Sequence, residues 1–149
     1  MSAYRVSVSQ IIDAPAETIY AILSDYHTGH PSILPRQYFE GLTVEKGGVG
    51  AGTVVRADMN VMGTRQRFRL AVSEPEPGRV LAEEDTAAGA LTHFILEPQS
   101  DGQTRVTIRS DFRSAGGLRG FVERLVNPSI TRRIYGEELR LLNEVARHG

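Results

Sequence analysis

The stretch GGLRGFVERLVNPSITRRIYGEELRLLNEVAR, residues 116–147, decides how the chain folds. Its apolar residues Leu118, Phe121, Val122, Leu125, Ile130, Ile134, Leu141, Leu142 and Val145 recur at the three- and four-residue intervals of an amphipathic helix with one buried stripe. At ~1.5 Å per residue such a helix runs on the order of 40 Å, so a large apolar surface must cover it. Pro128 has no N–H and clashes one turn back, which predicts a kink or break near Val126–Asn127. The remainder of the chain is expected to supply the covering surface.

Upstream of residue 116 the sequence reads mainly as strands. Tyr4, Val6 and Val8 alternate with Arg5, Ser7 and Ser9 in a half-buried strand ending near Ile12. Asp13-Ala14-Pro15-Ala16-Glu17 is a helix start, and the helix carries Ile19, Ile22 and Leu23 as far as Ser24–Tyr26. A second short helical piece is expected near Pro31, in the punctuated run from His27 to Pro35. Six more strands follow: Tyr38–Glu45, Thr53–Val61, Arg65–Ser73, Arg79–Asp85, Leu91–Glu97 and Thr104–Phe112. Their connections have hairpin length, including the glycine-rich turn Lys46–Gly52 and the turn Glu74–Gly78, so the strands form an antiparallel meander. The predicted architecture is α+β: a curved seven-stranded antiparallel sheet and two short N-terminal helices wrapped around one long C-terminal helix. A single domain over residues 1–149 accounts for the whole chain.

Composition narrows the function classes. An apolar fraction of 40% and a charged fraction of 23% are those of an ordinary soluble protein, and a net charge of −1 provides no general attraction to nucleic acid. The absence of cysteine excludes disulfides and thiolate chemistry. No apolar run reaches the ~18 residues needed to cross a bilayer, and MSAYRVSVSQ alternates like a strand rather than a signal peptide, so a cytoplasmic protein is expected. No P-loop, dinucleotide fingerprint, HExxH-type metal motif or Ser-His-Asp order is present, so no metal or cofactor is expected.

The segment Ile12-Asp13-Ala14-Pro15-Ala16-Glu17, followed by Ile19-Tyr20-Ala21-Ile22-Leu23-Ser24-Asp25-Tyr26, resembles the helix-grip superfamily of START lipid-transfer domains, birch-pollen-allergen-like proteins, polyketide cyclases and coenzyme Q-binding proteins (SRPBCC). Gly50-Ala51-Gly52-Thr53, Phe94-Ile95-Leu96-Glu97-Pro98, Gly102-Gln103-Thr104-Arg105-Val106-Thr107 and Glu138-Leu139-Arg140-Leu141-Leu142 extend the resemblance over essentially the whole chain. It implies a cavity between sheet and helix that holds a lipid, isoprenoid or polyketide-like molecule, and in some members a cyclisation. Fold alone does not assign the activity.

Candidate ligand-binding residues chosen by face and position are His30, Tyr38, Met59, Phe68, Phe94, Phe112, Phe121, Leu125, Ile134 and Tyr135, with Met62 in the same apolar inventory. Methionine and aromatic side chains suit an irregular pocket, although core filling accounts for the same residues. His30, Tyr38 and His93 are the candidates for acid–base work. His93 shares a strand face with Leu91 and Ile95, opposite Thr92, Phe94 and Leu96, and alternation alone leaves the inward face open. Arg65, Arg67 and Arg69 lie opposite Phe68 and Leu70, where solvation is the default. The leading expectation is a carrier of a hydrophobic small molecule. A polyketide cyclase or dehydratase and a protein-interaction module are the alternatives. A buried histidine beside a tyrosine in the cavity favours chemistry, and a wholly apolar cavity favours carriage.

Overall fold

A computed structural model describes residues 3–87, 89–113 and 128–148. The elements follow the order β1 (Ala3–Ile12), α1 (Ala16–Ser24), α2 (Gly29–Ser32), β2 (Phe39–Lys46), β3 (Val54–Val61), β4 (Thr64–Glu76), β5 (Val80–Asp85), β6 (Ala90–Pro98), β7 (Thr104–Arg113) and α3 (Pro128–His148). The seven strands form one curved antiparallel sheet in the order β1-β7-β6-β5-β4-β3-β2. All sequential neighbours from β2 to β7 pair as hairpins, and β1 closes the sequence by pairing with β7 from Ala3 opposite Arg113 to Ile12 opposite Thr104. The helix-grip architecture expected from the sequence is therefore present.

Local chemistry explains the boundaries. β3 and β4 meet through Met62-Gly63, both at positive φ (52° and 82°), as a two-residue primed turn requires. Met62 is consequently 83% exposed at a hairpin tip, and its expected place in the apolar interior is corrected. β4 runs on to Glu76, through the segment expected to be a turn. Pro75 is accommodated because the β4–β5 register shifts between Ser73 and Glu76 and leaves it outside the regular ladder. The backbone carbonyl of Pro15 accepts from the N–H groups of Thr18 and Ile19 at the start of α1.

Leu139, Leu142 and Ala146 on α3 pack into a core with Ile12, Ile19, Leu23, Leu81, Leu96, Val106 and Ile108. Asn143 Oδ1 accepts from the Asp13 N–H at 2.9 Å, and Thr104 Oγ1 donates to the Ala14 carbonyl at 2.8 Å. These two bonds tie the β1–α1 junction to the helix and the sheet. The structure places α3 from Pro128 onward; the expected kink at Val126–Asn127 and the candidates Phe121 and Leu125 lie outside the described residues. The N-terminal half of α3 leaves the core and faces a cavity.

Candidate functional site

The cavity has a volume of about 130 Å³ and lies between α3, the inner sheet face and the segment around α2. Its walls follow from strand alternation. Ala57, Met59 and Val61 of β3, Phe68 and Leu70 of β4, Thr92 and Phe94 of β6 and Phe112 of β7 all project inward. Thr131, Ile134, Tyr135 and Glu138 of α3, at helical spacing, form the facing wall. His30 and Leu34 complete it near the N-terminal helices. A more open groove lined by Pro31, Leu34, Arg36, Phe39, Glu40, Gly41 and Leu42 adjoins it, sharing Leu34, Phe39 and Leu42 with the cavity wall.

One end of the cavity is polar. His30 is 3% exposed, and its Nδ1 lies 2.7 Å from the Leu23 carbonyl oxygen. A carbonyl can only accept, so Nδ1 carries the hydrogen, and Nε2 faces Glu83 Oε2 at 3.5 Å. Tyr26 Oη donates to the same Glu83 oxygen at 2.6 Å. The Tyr26 ring stacks on the His30 imidazole, with centroids 4.5 Å apart, and Phe94 packs edge-on against the imidazole at 5.4 Å. Burial, reinforced by the Glu83 carboxylate, holds the Tyr26 hydroxyl far above its ordinary range, so it stays protonated and acts as a donor.

Glu138 is 4% exposed, and its carboxyl makes no hydrogen bond among the described residues. Burial, and secondarily the Glu83 carboxyl, push its pKa well above 4.5. Glu138 is thereby held as the neutral acid at pH values where an exposed glutamate is ionised. One helical turn away, Tyr135 Oη lies 2.5 Å from Ser110 Oγ, which is 2.6 Å from Thr92 Oγ1. Burial raises the Tyr135 pKa as well. A neutral carboxyl and a phenol therefore join His30 and Glu83 in lining a largely apolar space.

The loop bearing His30 is held from two sides. Asp25 accepts from the backbone N–H groups of His27, Thr28 and Gly29 and, at 2.6 Å, from the Thr28 hydroxyl. These donors, the hydroxyl foremost, lower its pKa. The glycine-rich turn docks beneath it: the Gly48 carbonyl accepts from Tyr26 N–H at 2.8 Å, and Gly50 N–H donates to the Ser24 carbonyl at 2.9 Å. Gly48 has φ +147°, a conformation L side chains rarely adopt, and a Cβ there would sit 2.0 Å from His27 Nε2, so any larger residue must displace the His27 ring. Glu74 accepts from Tyr20 Oη at 2.8 Å and from Ala51 N–H at 2.9 Å, linking α1, β4 and the turn. Burial, with Glu74 adding to it, pushes the Tyr20 pKa up to about 12.

Of the residues selected from sequence, His30, Met59, Phe68, Phe94, Phe112, Ile134 and Tyr135 line the cavity together. Tyr38 does not, which is a correction. Its N–H and that of Phe39 both donate to the Pro35 carbonyl, and the resulting turn puts the Phe39 ring on the wall instead. His93 is also corrected. It lies between the inward Thr92 and Phe94 and is directed to the outer sheet face, opposite Arg109 in the β6–β7 register. There burial, then the Arg109 charge, lowers its pKa. Arg65, Arg67 and Arg69 are exposed and pair with Glu40 of β2, Asp58 of the adjacent β3 and Glu45 of β2 at 3.5, 2.8 and 2.8 Å.

Glu83 and Glu138 were not selected from sequence, yet both occupy inward positions. Glu138 falls between Ile134 and Leu142 at four-residue spacing, and Glu83 falls two residues after Leu81. A charged residue on an apolar stripe was the available signal. Among the described residues, no three His, Asp or Glu side chains converge to hold a metal ion, and no helix is long and apolar enough to cross a membrane.

The family model described as polyketide cyclase / dehydrase and lipid transport matches residues 3–147. The chain belongs to this family. Among solved structures it is similar to the KanY protein, at 26% identity and a TM-score of 0.83, with 99% of each chain covered. It is similar in fold to the Zhui aromatase/cyclase from Streptomyces sp. R1128, at 18% identity and a TM-score of 0.75, covering 98% of this chain and 94% of that one. A START superfamily protein from Mycobacterium smegmatis matches at 18% identity and a TM-score of 0.67, with 97% of each chain covered. No curated protein matches this chain. The family supports a fold for hydrophobic ligand binding or cyclase-type chemistry.

Proposed function

We propose that this protein binds a hydrophobic small molecule in the cavity between α3 and the sheet, with its polar end directed toward Glu138, Tyr135 and His30. The observation that carries this reading is the contrast within one space: aromatic and aliphatic walls from five strands, and a cluster of buried polar groups at one end. At ~24 cal/mol per Å³, leaving such a space dry costs roughly 3 kcal/mol, a sizeable share of a typical stability of ~5–15 kcal/mol. The cavity is smaller than the ~300 Å³ at the low end for ligand sites. A cavity of ~150 Å³ holds a benzene ring, so about one ring of an isoprenoid, lipid or polyketide-like ligand fits inside. The remainder would extend along the adjoining groove past Leu34 and Phe39.

The test exploits the lack of tryptophan, which leaves a dark background for a polarity-sensitive aromatic fluorophore. Ala57 is buried on the cavity wall, and Ala57→Phe adds a ring's volume there. The wild type should enhance the probe's emission, and the folded Ala57→Phe variant should not. Equal enhancement by both would overturn the reading.

A second reading, a cyclase or dehydratase, is favoured by the His30–Glu83–Tyr26 cluster, because a buried histidine beside a tyrosine supplies an acid–base pair at the cavity wall. In that case His30 Nε2 takes a proton from the substrate, and the neutral Glu138 carboxyl donates to the oxygen where charge develops. Turnover of a poly-β-ketone that is lost in His30→Ala but retained in His93→Ala supports this reading, and turnover unaffected by His30→Ala refutes it. A protein-interaction role has less support. Among the described residues the exposed large apolar side chains are Ile11 in β1, Val49 in the glycine-rich turn and Met62 in the β3–β4 turn.

A further inference from the structure

We infer that the polar end of this cavity is built for a protonated amine, so that the ligand class is an apolar, ring-sized body carrying a basic nitrogen. The inference rests on the cavity-binding reading above and adds the chemistry of the ligand's head. Its starting point is the carboxyl of Glu138, which has no hydrogen-bond partner among the described residues, is only 4% exposed and lines the cavity. A buried polar group without a partner carries a desolvation penalty that a bound donor removes.

The charge balance of the wall indicates which donor. The described lining includes two carboxyl side chains, Glu83 and Glu138, and neither arginine nor lysine. The β4 arginines are paired on the outer face of the sheet. Among the described residues, the titratable groups that act on Glu138 or share its cavity are Glu83 from β5, His30 from α2, Tyr26 from the α1–α2 connection and Tyr135 from α3 itself. His30 already gives Nδ1–H to Leu23, and both its Nε2 and the Tyr26 hydroxyl are directed at Glu83. None of these supplies a cation to Glu138. A carboxylate ligand would meet two acidic groups, and a neutral alcohol would offer one ordinary hydrogen bond. An ammonium offers up to three donors and a positive charge.

The aromatic walls favour the same class. Phe39, Phe68, Phe94, Phe112 and Tyr135 surround the space, and ring faces attract a desolvated cation while packing against an apolar body. Binding of the ammonium form leads Glu138 to ionise: its O–H bond breaks, the proton passes to solvent, and the carboxylate remains paired with the ligand nitrogen.

The experiment compares benzylamine with benzyl alcohol by titration calorimetry near pH 7, in buffers of different ionisation enthalpy. The amine should bind roughly tenfold or more tightly than the alcohol, as expected for a charged rather than a neutral hydrogen bond. The amine should also release protons on binding, and the alcohol should not. Proton release is read on the wild-type protein and needs no variant. Glu138→Gln should lose the amine preference and the proton release. If the alcohol binds at least as tightly as the amine, the amine inference fails and the cavity reading stands. If neither ligand nor the neutral fluorophore binds, both fail.

Discussion

Replacing Glu138 by glutamine should make the protein more stable, by an amount that grows with pH. The native carboxyl is held protonated by burial and by Glu83, so its pKa lies above the 4.5 of an exposed side chain. Below that value both folded and unfolded chains carry the proton, and Glu138 contributes no pH dependence. Above it the unfolded chain releases the proton while the native chain keeps it. The native state then binds one proton more, and stability falls as pH rises, by about 1.4 kcal/mol per pH unit. The fall ends once pH passes the raised native value, where both states are ionised and the full penalty remains. Glutamine cannot ionise, so Glu138→Gln removes this slope. Urea denaturation of both proteins at intervals from about pH 4 to pH 8 reads the difference directly. The curves should nearly meet at the acid end and diverge above pH ~4.5 with the variant more stable. A stability difference independent of pH would refute the assignment of Glu138 as a buried neutral acid.

Three further perturbations test the surroundings of the site. Tyr26→Phe removes the 2.6 Å donor to buried Glu83 and should cost ~1–3 kcal/mol by urea denaturation; a change below about 0.3 kcal/mol would show that the bond adds nothing. Gly48→Ala places a methyl group against His27 at a positive φ and should cost ~1–3 kcal/mol. Adding His27→Ala should recover the steric part but not the backbone part, and full recovery would show that φ carries no strain. Met62→Asn puts a residue tolerant of the left-handed region at the first turn position, and should raise stability by roughly 0.5–1 kcal/mol; a lower thermal midpoint would contradict the primed-turn assignment.

The fold was legible because its signals are local and repeated. Period-two alternation located all seven strands to within a few residues, and Asp13-Ala14-Pro15 marked the entry to α1. The exceptions are instructive. Glu74–Gly78 reads as a turn by composition, but a register shift lets a strand pass through Pro75. Met62 reads as interior because apolarity outweighed its position before Gly63, yet the two-residue hairpin puts it at the tip. In the site, strand parity grouped Met59, Phe68, Phe94 and Phe112 on the inner face. Parity could not settle His93, whose two faces are equally apolar in sequence, or Tyr38, whose orientation depends on a turn at Pro35. Glu83 and Glu138 were missed for a further reason. Charged side chains are assigned to solvent by default, and only the three-dimensional closure of helix on sheet turns an acidic residue on an apolar stripe into a buried one.

The central claim is that the cavity is a binding site for an apolar small molecule. Native mass spectrometry of freshly purified protein, with organic extraction of whatever accompanies it, tests that claim most directly. The account predicts a small organic adduct on the wild type that is missing from Ala57→Phe. A bare polypeptide mass for the wild type, persisting after incubation with a lipid and polyketide extract, would contradict it.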